Sequence, residues 1–257
     1  MTRGPSMMAA LDRAEPLANP TRAQRGTAMG LRSRWWNTFF GVPRGPIGWL
    51  GARIMRKSNP TFYRAVAAEL DLQSDDELLD VGCGSAGMLV EPAAELPFVA
   101  GLDASGIQLG MARERLAERI AAGKAEIVEG DAAALPWDDE RFSVVTSINA
   151  MKFFPDPAGA LREMYRVLRP GGRLAITMGE AEEAPAGATE GVVDKWGQWQ
   201  WTDDAAQQLV EEAGFTDVTV SVLPVSSKAL LARGTKPAGA SVGKDAEAAD
   251  QTAVIGA

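Results

Sequence analysis

The residues best suited to chemistry form one short run. Leu78-Leu79-Asp80-Val81-Gly82-Cys83-Gly84-Ser85-Ala86-Gly87 leads an apolar stretch into an acid and then a glycine-rich turn. Asp103 closes the next apolar stretch, Phe98 to Leu102, sixteen residues after the last of those glycines. A nucleotide-like cofactor is held in this way at the edge of a parallel sheet. The glycines admit the ligand close to the backbone, and a carboxylate one strand further on accepts hydrogen bonds from ribose hydroxyls. The Gly82-x-Gly84-x-x-Gly87 triplet alone also fits an ordinary tight strand-to-helix turn, since glycine is favoured wherever φ is positive. The spacing to Asp103 favours the cofactor reading.

Composition removes several alternatives. The chain has no histidine, which excludes a Ser-His-Asp triad, a His-ligated zinc and an imidazole base. Acid–base work falls to Asp, Glu, Lys, Tyr or Cys, or is not needed. Cys83 is the only cysteine, so an internal disulfide, a cysteine-cluster metal site and paired-thiol redox chemistry are excluded as well, and no metal is expected. Inside the glycine loop, Cys83 reads as a small buried residue. The net charge of −8 argues against a general nucleic-acid binder, which needs clustered Lys and Arg. No run of eighteen apolar residues offers a transmembrane helix, and the N-terminal composition lacks a secretory apolar core. A cytoplasmic location is expected.

The elements that position these residues follow from the pattern. In 257 residues there is room for one ordinary domain with tails. Residues 1–30, rich in Ala, Arg, Pro, Thr and Gly without steady periodicity, and residues 235–257, small and polar, are expected to be disordered tails. Between them strands and helices alternate. Strands are predicted over Glu77–Val81, Phe98–Leu102, Ala125–Glu129, Phe142–Ile148 and Arg173–Met178. Helices are predicted over Ala86–Leu96, Ser105–Ala122, Ala158–Leu168 and Thr202–Ala213, with Ser105 and Thr202 as N-caps. Phe215–Leu223 and Lys228–Arg233 read as a closing antiparallel hairpin. The alternation implies an α/β fold: a doubly wound, mostly parallel seven-stranded sheet ending in an antiparallel hairpin.

A nicotinamide dehydrogenase and a methyltransferase share that opening, and later features separate them. Gly130-Asp131-Ala132-Ala133-Ala134-Leu135-Pro136-Trp137 follows the third strand; an acid there can bond an adenine amino group while a backbone N–H serves a ring nitrogen. Val167-Leu168-Arg169-Pro170-Gly171-Gly172-Arg173-Leu174 turns a helix end sharply into the fifth strand. With GLDAS (101–105) and FSVVTSINAMKFFPDP (142–157) in order between them, residues 59–234 resemble the class I S-adenosylmethionine-dependent methyltransferases of small-molecule type. The resemblance implies a Rossmann-like domain over 59–234 with S-adenosyl-L-methionine as cofactor. It implies that Asp80, Gly82 and Gly84, with Cys83 between them, shape the loop around the methionine part. Asp103, with Ala104, would hold the ribose, Asp131 and Ala132 would meet the adenine, and Asn149 would line the amino-acid end and the substrate side.

Methyl transfer from a sulfonium is an in-line displacement in which the protein mainly positions the nucleophile and excludes water. Many relatives place a histidine shortly after the fourth strand, where this chain has Met151-Lys152-Phe153-Phe154. That departure argues against His-assisted O-methylation and leaves N- or S-methylation, an acidic phenol or carboxylate, or an activated carbon. Lys152 and Phe153 are candidate substrate-lining residues. So are Trp196 and Trp199 of Trp196-Gly197-Gln198-Trp199-Gln200-Trp201, where an extended backbone puts Trp199 and Trp201 on one side. The cysteine set of the arsenic-methylating relatives is absent.

From Pro16 to Ala68 there are nine basic residues and no acid, interleaved with aromatics that include Trp35, Trp36 and Phe39. Residues 31–58 are read as a basic aromatic lid over the cofactor that lines the substrate pocket. Contact with an anionic membrane surface, making the protein peripheral there, and plain packing on the acidic body are the alternatives. The sequence thus points to an S-adenosylmethionine-dependent methyltransferase acting on a small, apolar or aromatic molecule. One rival is a nicotinamide-dependent oxidoreductase, for which no Tyr followed four residues later by Lys exists. The other is a catalytically silent cofactor-binding partner subunit.

Overall fold

The computed structural model describes residues 60–180, 190–194, 198–223 and 229–238. The expected lid (31–58) lies outside them, as does most of both expected tails. Helix α1 (Pro60–Leu70) precedes strand β1 (Glu77–Val81), α2 (Gly87–Val90), β2 (Phe98–Asp103), α3 (Gly106–Arg115), α4 (Ala117–Ala121) and β3 (Ala125–Glu129). Then come β4 (Phe142–Ser147), a 3₁₀ turn (Met151–Phe153), α5 (Pro157–Val167), β5 (Leu168–Glu180) and the two-residue strands β6 (Val192–Val193) and β7 (Trp199–Gln200). Helix α6 (Asp203–Glu212), β8 (Thr216–Val222) and β9 (Ala229–Thr235) complete the domain.

The seven-stranded sheet has the order β3-β2-β1-β4-β5-β9-β8. Strands β1 to β5 pair in parallel, and β9 runs antiparallel to both β5 and β8. The expected fold class is therefore the one observed. From β1 the chain winds outward through β2 and β3, then returns to place β4 on the other side of β1. That reversal opens a crevice beyond the carboxyl ends of β1 and β4, where ligands bind in open α/β sheets.

Strand alternation divides the core. Leu79, Val81 and Val145 face one layer, with α5 and α6 residues such as Leu161, Met164 and Val210. Leu78 and Val144 face the other, with Val66 of α1, Met88 of α2 and Leu109 of α3. Successive side chains of a strand point to opposite faces, and a sheet covered on both faces has apolar strands throughout.

Several elements differ from the sequence reading. The helix expected over Ala86–Leu96 stops at Val90. Pro92 lacks an N–H and its ring opposes the carbonyl four residues back, and Ala93 N bonds Met88 O at 3.2 Å instead of continuing the helix. The helix expected over Ser105–Ala122 bends at Leu116 into α3 and α4. Hydrogen bonds continue through that bend, Leu116 to Ala112 at 3.0 Å and Ile120 to Leu116 at 2.9 Å. The fifth strand begins at Leu168, which pairs with Phe142 before an irregularity that absorbs the Pro170-Gly171-Gly172 turn. The last strand runs through Thr235, and the buried Lys236 donates to Leu168 O at 2.8 Å. Thr235 and Lys236 thus belong to the sheet domain and not to a tail.

Candidate functional site

A cavity of about 710 Å³ opens at the topological reversal, within the range of about 300–1,000 Å³ usual for small-molecule sites. Asp80 of β1, Asp103 at the end of β2 and Glu129 at the end of β3 reach it from adjacent strands. Gly82, Cys83 and Gly84 line it from the first loop, Ala104 from the second, Asp131 and Ala132 from the third, and Asn149 from the loop after β4. The expected cofactor residues are thus brought to one place.

The glycine loop is tied to its neighbour strand. The N–H groups of Gly82 and Cys83 both donate to Leu102 O, at 2.7 and 3.0 Å. Gly82 has φ +77°, and a Cβ there would overlap the Ala150 side chain. Gly87 is required for space: a Cβ would run into the Tyr63 ring, which helix α1 lays over the loop. Asp103 is tied into the protein on both carboxylate oxygens. Its Oδ2 accepts from Gly84 N at 2.9 Å and its Oδ1 from Ser105 N at 2.8 Å, so it also fastens the loop to the start of α3. Asn149 sits at φ +57°, a conformation Asn tolerates better than most residues, and donates its N–H to Thr177 Oγ1 at 2.6 Å.

The loop after β3 is held from α5. Glu163 accepts from Leu135 N at 2.8 Å, and Arg166 donates to Leu135 O at 2.9 Å, to Trp137 O at 2.8 Å and to Asp139 at 2.8 Å. Asp131 closes its own turn by accepting from Ala133 N at 3.0 Å.

The electrostatics are acidic at this end. Burial pushes the Asp80 carboxyl up to about 7, against the hydrogen bond it accepts from Thr146 Oγ1 at 2.8 Å and with the aid of the Asp103 charge. Burial likewise raises Asp103, against bonds from the Ser105, Gly84 and Ala104 backbone, with Glu129 adding to the rise. The Cys83 thiol is pushed well up by burial and then by the Asp103 and Asp80 charges. It therefore stays a thiol, with no thiolate for nucleophilic or redox work.

On the acceptor side the expected residues divide. Lys152 and Phe153 line the cavity. Trp199 does not. It is 5% exposed, its Nε1 donates to Phe154 O at 3.0 Å, and it stacks on Trp201 with ring centroids 5.8 Å apart. It braces the Phe153–Pro155 wall from behind, because a buried indole N–H needs an acceptor and finds it in that backbone. Trp196, Trp35, Trp36 and Phe39 lie outside the described residues.

Sequence reasoning missed Tyr63, Gln108, Glu129 and Gln198, which also line the cavity, as does Phe154, the neighbour of the expected Phe153. Glu129 was within reach, since it is the parallel partner of Asp103 in the next strand. Gln108 lies in the first turn after the Ser105 cap; it is 6% exposed and its Oε1 has no protein partner. A buried acceptor of this kind can be satisfied by a ligand donor or an ordered water.

The fold is that of class I methyltransferases, and the residues lining the cavity are those expected to hold S-adenosylmethionine. The donor set fits that cofactor: carboxylates for its hydroxyls and cations, an unpartnered acceptor in Gln108, and a loop after β3 that presents Asp131 and Ala132. Residues 79–176 match a family model described as a methyltransferase domain. A demethylmenaquinone methyltransferase of Lactiplantibacillus plantarum is 33% identical over 144 residues, 55% of this chain and 58% of that one. The chain thus spans little more than half of that relative's length. Among solved structures, Haemonchus contortus phosphoethanolamine N-methyltransferase 2, in complex with phosphomonomethylethanolamine and S-adenosylhomocysteine, superposes with a TM-score of 0.62 at 16% identity, covering 80% of this chain and 61% of that one. The 4+2 cyclase SpnF superposes with a TM-score of 0.55 at 20% identity, covering 86% and 97%. At these identities the structural likeness is one of fold.

Among the described residues no helix is long and apolar enough to cross a membrane. None of them form a group of three or more His, Cys, Asp or Glu able to hold a metal ion.

Proposed function

We propose that the protein transfers the methyl group of S-adenosylmethionine to a small, apolar or aromatic acceptor, by positioning and not by a histidine base. The observation that carries this reading is the convergence of Asp80, Asp103, Asp131 and Asn149 on one cavity whose other wall is Phe153 and Phe154. When bound, the cofactor supplies a methyl carbon on a sulfonium, and the carbon–sulfur bond breaks with its electron pair going to sulfur as the acceptor atom bonds to carbon. The chain's own part is to hold and exclude. Asp103 receives the ribose hydroxyls, Asp131 and the Ala132 N–H meet the adenine, and Asp80 faces the positive end of the cofactor. Phe153, Phe154 and Pro155 remove water from the acceptor's apolar body, which favours a displacement that disperses charge. A relative named for demethylmenaquinone, a largely apolar acceptor, supports the same class.

A second reading has a specific observation behind it: SpnF carries this fold and is a cyclase, so the fold alone does not fix the reaction. Cofactor with a deuterated methyl group, incubated with the full-length protein and a panel of apolar and aromatic acceptors, separates the two by mass spectrometry. Labelled methyl appearing in an acceptor, with an equal amount of S-adenosylhomocysteine, supports transfer. Cofactor binding with no labelled product across the panel favours the silent or cyclase-like reading.

A further inference from the structure

The cavity is electrically divided. Asp80, Asp103, Glu129 and Asp131 line one end, and Lys152 is the only cation among the described lining residues. Lys152 sits in the 3₁₀ turn Met151–Phe153, half-buried, with Nζ 5.5 Å from the centroid of the Phe153 ring. No described carboxylate lies within ion-pair distance of it. The described arginines behave differently: each donates to a carboxylate or a backbone carbonyl, except Arg162, which pairs with Asp156 at 3.9 Å. Around Lys152 the wall is apolar, with Ile148, Ala150, Phe153, Phe154 and Pro155. An ammonium held over an aromatic ring beside an apolar wall gains from an anionic partner that the described residues do not supply.

We propose that Lys152 selects an acceptor bearing an anionic oxygen group, such as a carboxylate, phenolate or phosphate, on an apolar or aromatic body. This rests on the methyltransferase reading of the cavity and names the substrate class for it. The carboxylates at the far end match the cations of the cofactor. An amine acceptor would set its own cation against Lys152, whereas an oxyanion completes the pair. An anionic acceptor also accounts for a site without histidine, because its acidic group is already ionised and needs no base.

Three probes with one body test this: phenylacetate, 2-phenylethanol and 2-phenylethylamine, titrated by ligand-observed NMR into full-length protein saturated with S-adenosylhomocysteine. Phenylacetate should bind about tenfold more tightly than the other two, the scale of a hydrogen bond to a charged partner. Lys152→Gln should erase that preference while Lys152→Arg keeps it, and S-adenosylhomocysteine affinity should not move in either variant. Phenylacetate failing to bind, the amine binding best, or a preference that survives Lys152→Gln each overturns the proposal. Failure of the unaltered protein to bind S-adenosylhomocysteine overturns the reading beneath it.

Discussion

Raising the pH from 6 to 8 should tighten S-adenosylmethionine binding, and Asp80→Asn should remove that dependence. Asp80 is 2% exposed, and its Oδ1 accepts from Thr146 Oγ1 at 2.8 Å. Burial, opposed by that bond and reinforced by Asp103, pushes its carboxyl up to about 7 from an ordinary 3.8. The folded protein therefore holds a proton that the unfolded chain has released. Ionising Asp80 costs stability, by about 1.4 kcal/mol per pH unit across that interval and about 4 kcal/mol in all. The penalty is absent below the unfolded value and complete above about 7. A cationic ligand at the carboxyl draws the titration back down, so binding below pH 7 must expel a proton. The expected loss of affinity is up to about tenfold per pH unit below 7. Calorimetry at pH 6, 7 and 8, in buffers of different ionisation enthalpy, reads this directly. Release should approach one proton at pH 6 and fall towards none at pH 8. Subtracting the Asp80→Asn profile cancels the ligand's own amine. Equal proton release in the two proteins would refute the reasoning.

Asp103→Ala should weaken cofactor binding by about 1.5–3 kcal/mol. It should also lower the melting temperature, because the same carboxylate fastens Gly84 N and Ser105 N; unchanged affinity by calorimetry would make Asp103 a purely structural acid. Gly82→Ala should cost about 1–3 kcal/mol in urea unfolding and impair cofactor binding, since it forces a Cβ into Ala150 at positive φ. Trp199→Phe should lose about 1 kcal/mol with the bond to Phe154 O. It should leave S-adenosylhomocysteine affinity in place while slowing turnover of the acceptor, and a weaker cofactor affinity would count against a bracing role.

The cofactor end was legible because it is local. An apolar strand, an acid and a glycine turn fix the positions of Asp80 and Gly82, and a second acid one strand on fixes Asp103. What was not legible depends on contacts between distant segments. Periodicity alone extends the first helix past Val90, but Pro92 ends it. Within the Trp196–Trp201 run, Trp196 and Trp199 read as pocket wall and Trp201 equally as core, and alternation correctly pairs Trp199 with Trp201. Only the carbonyl of Phe154, 45 residues away in sequence, decides that this pair faces inward. Glu129 was hidden by its place at the end of a half-exposed strand, although its register with Asp103 put it at the same sheet edge. Gln108 carried no sequence signal beyond its position in the first turn of a helix beside the site.

Calorimetric titration of the protein tests most directly whether this cavity takes S-adenosylmethionine. Saturable binding of S-adenosylmethionine and of S-adenosylhomocysteine at one site, with no heat from NAD, is the predicted result. Saturable NAD binding with no response to either sulfur compound would contradict it.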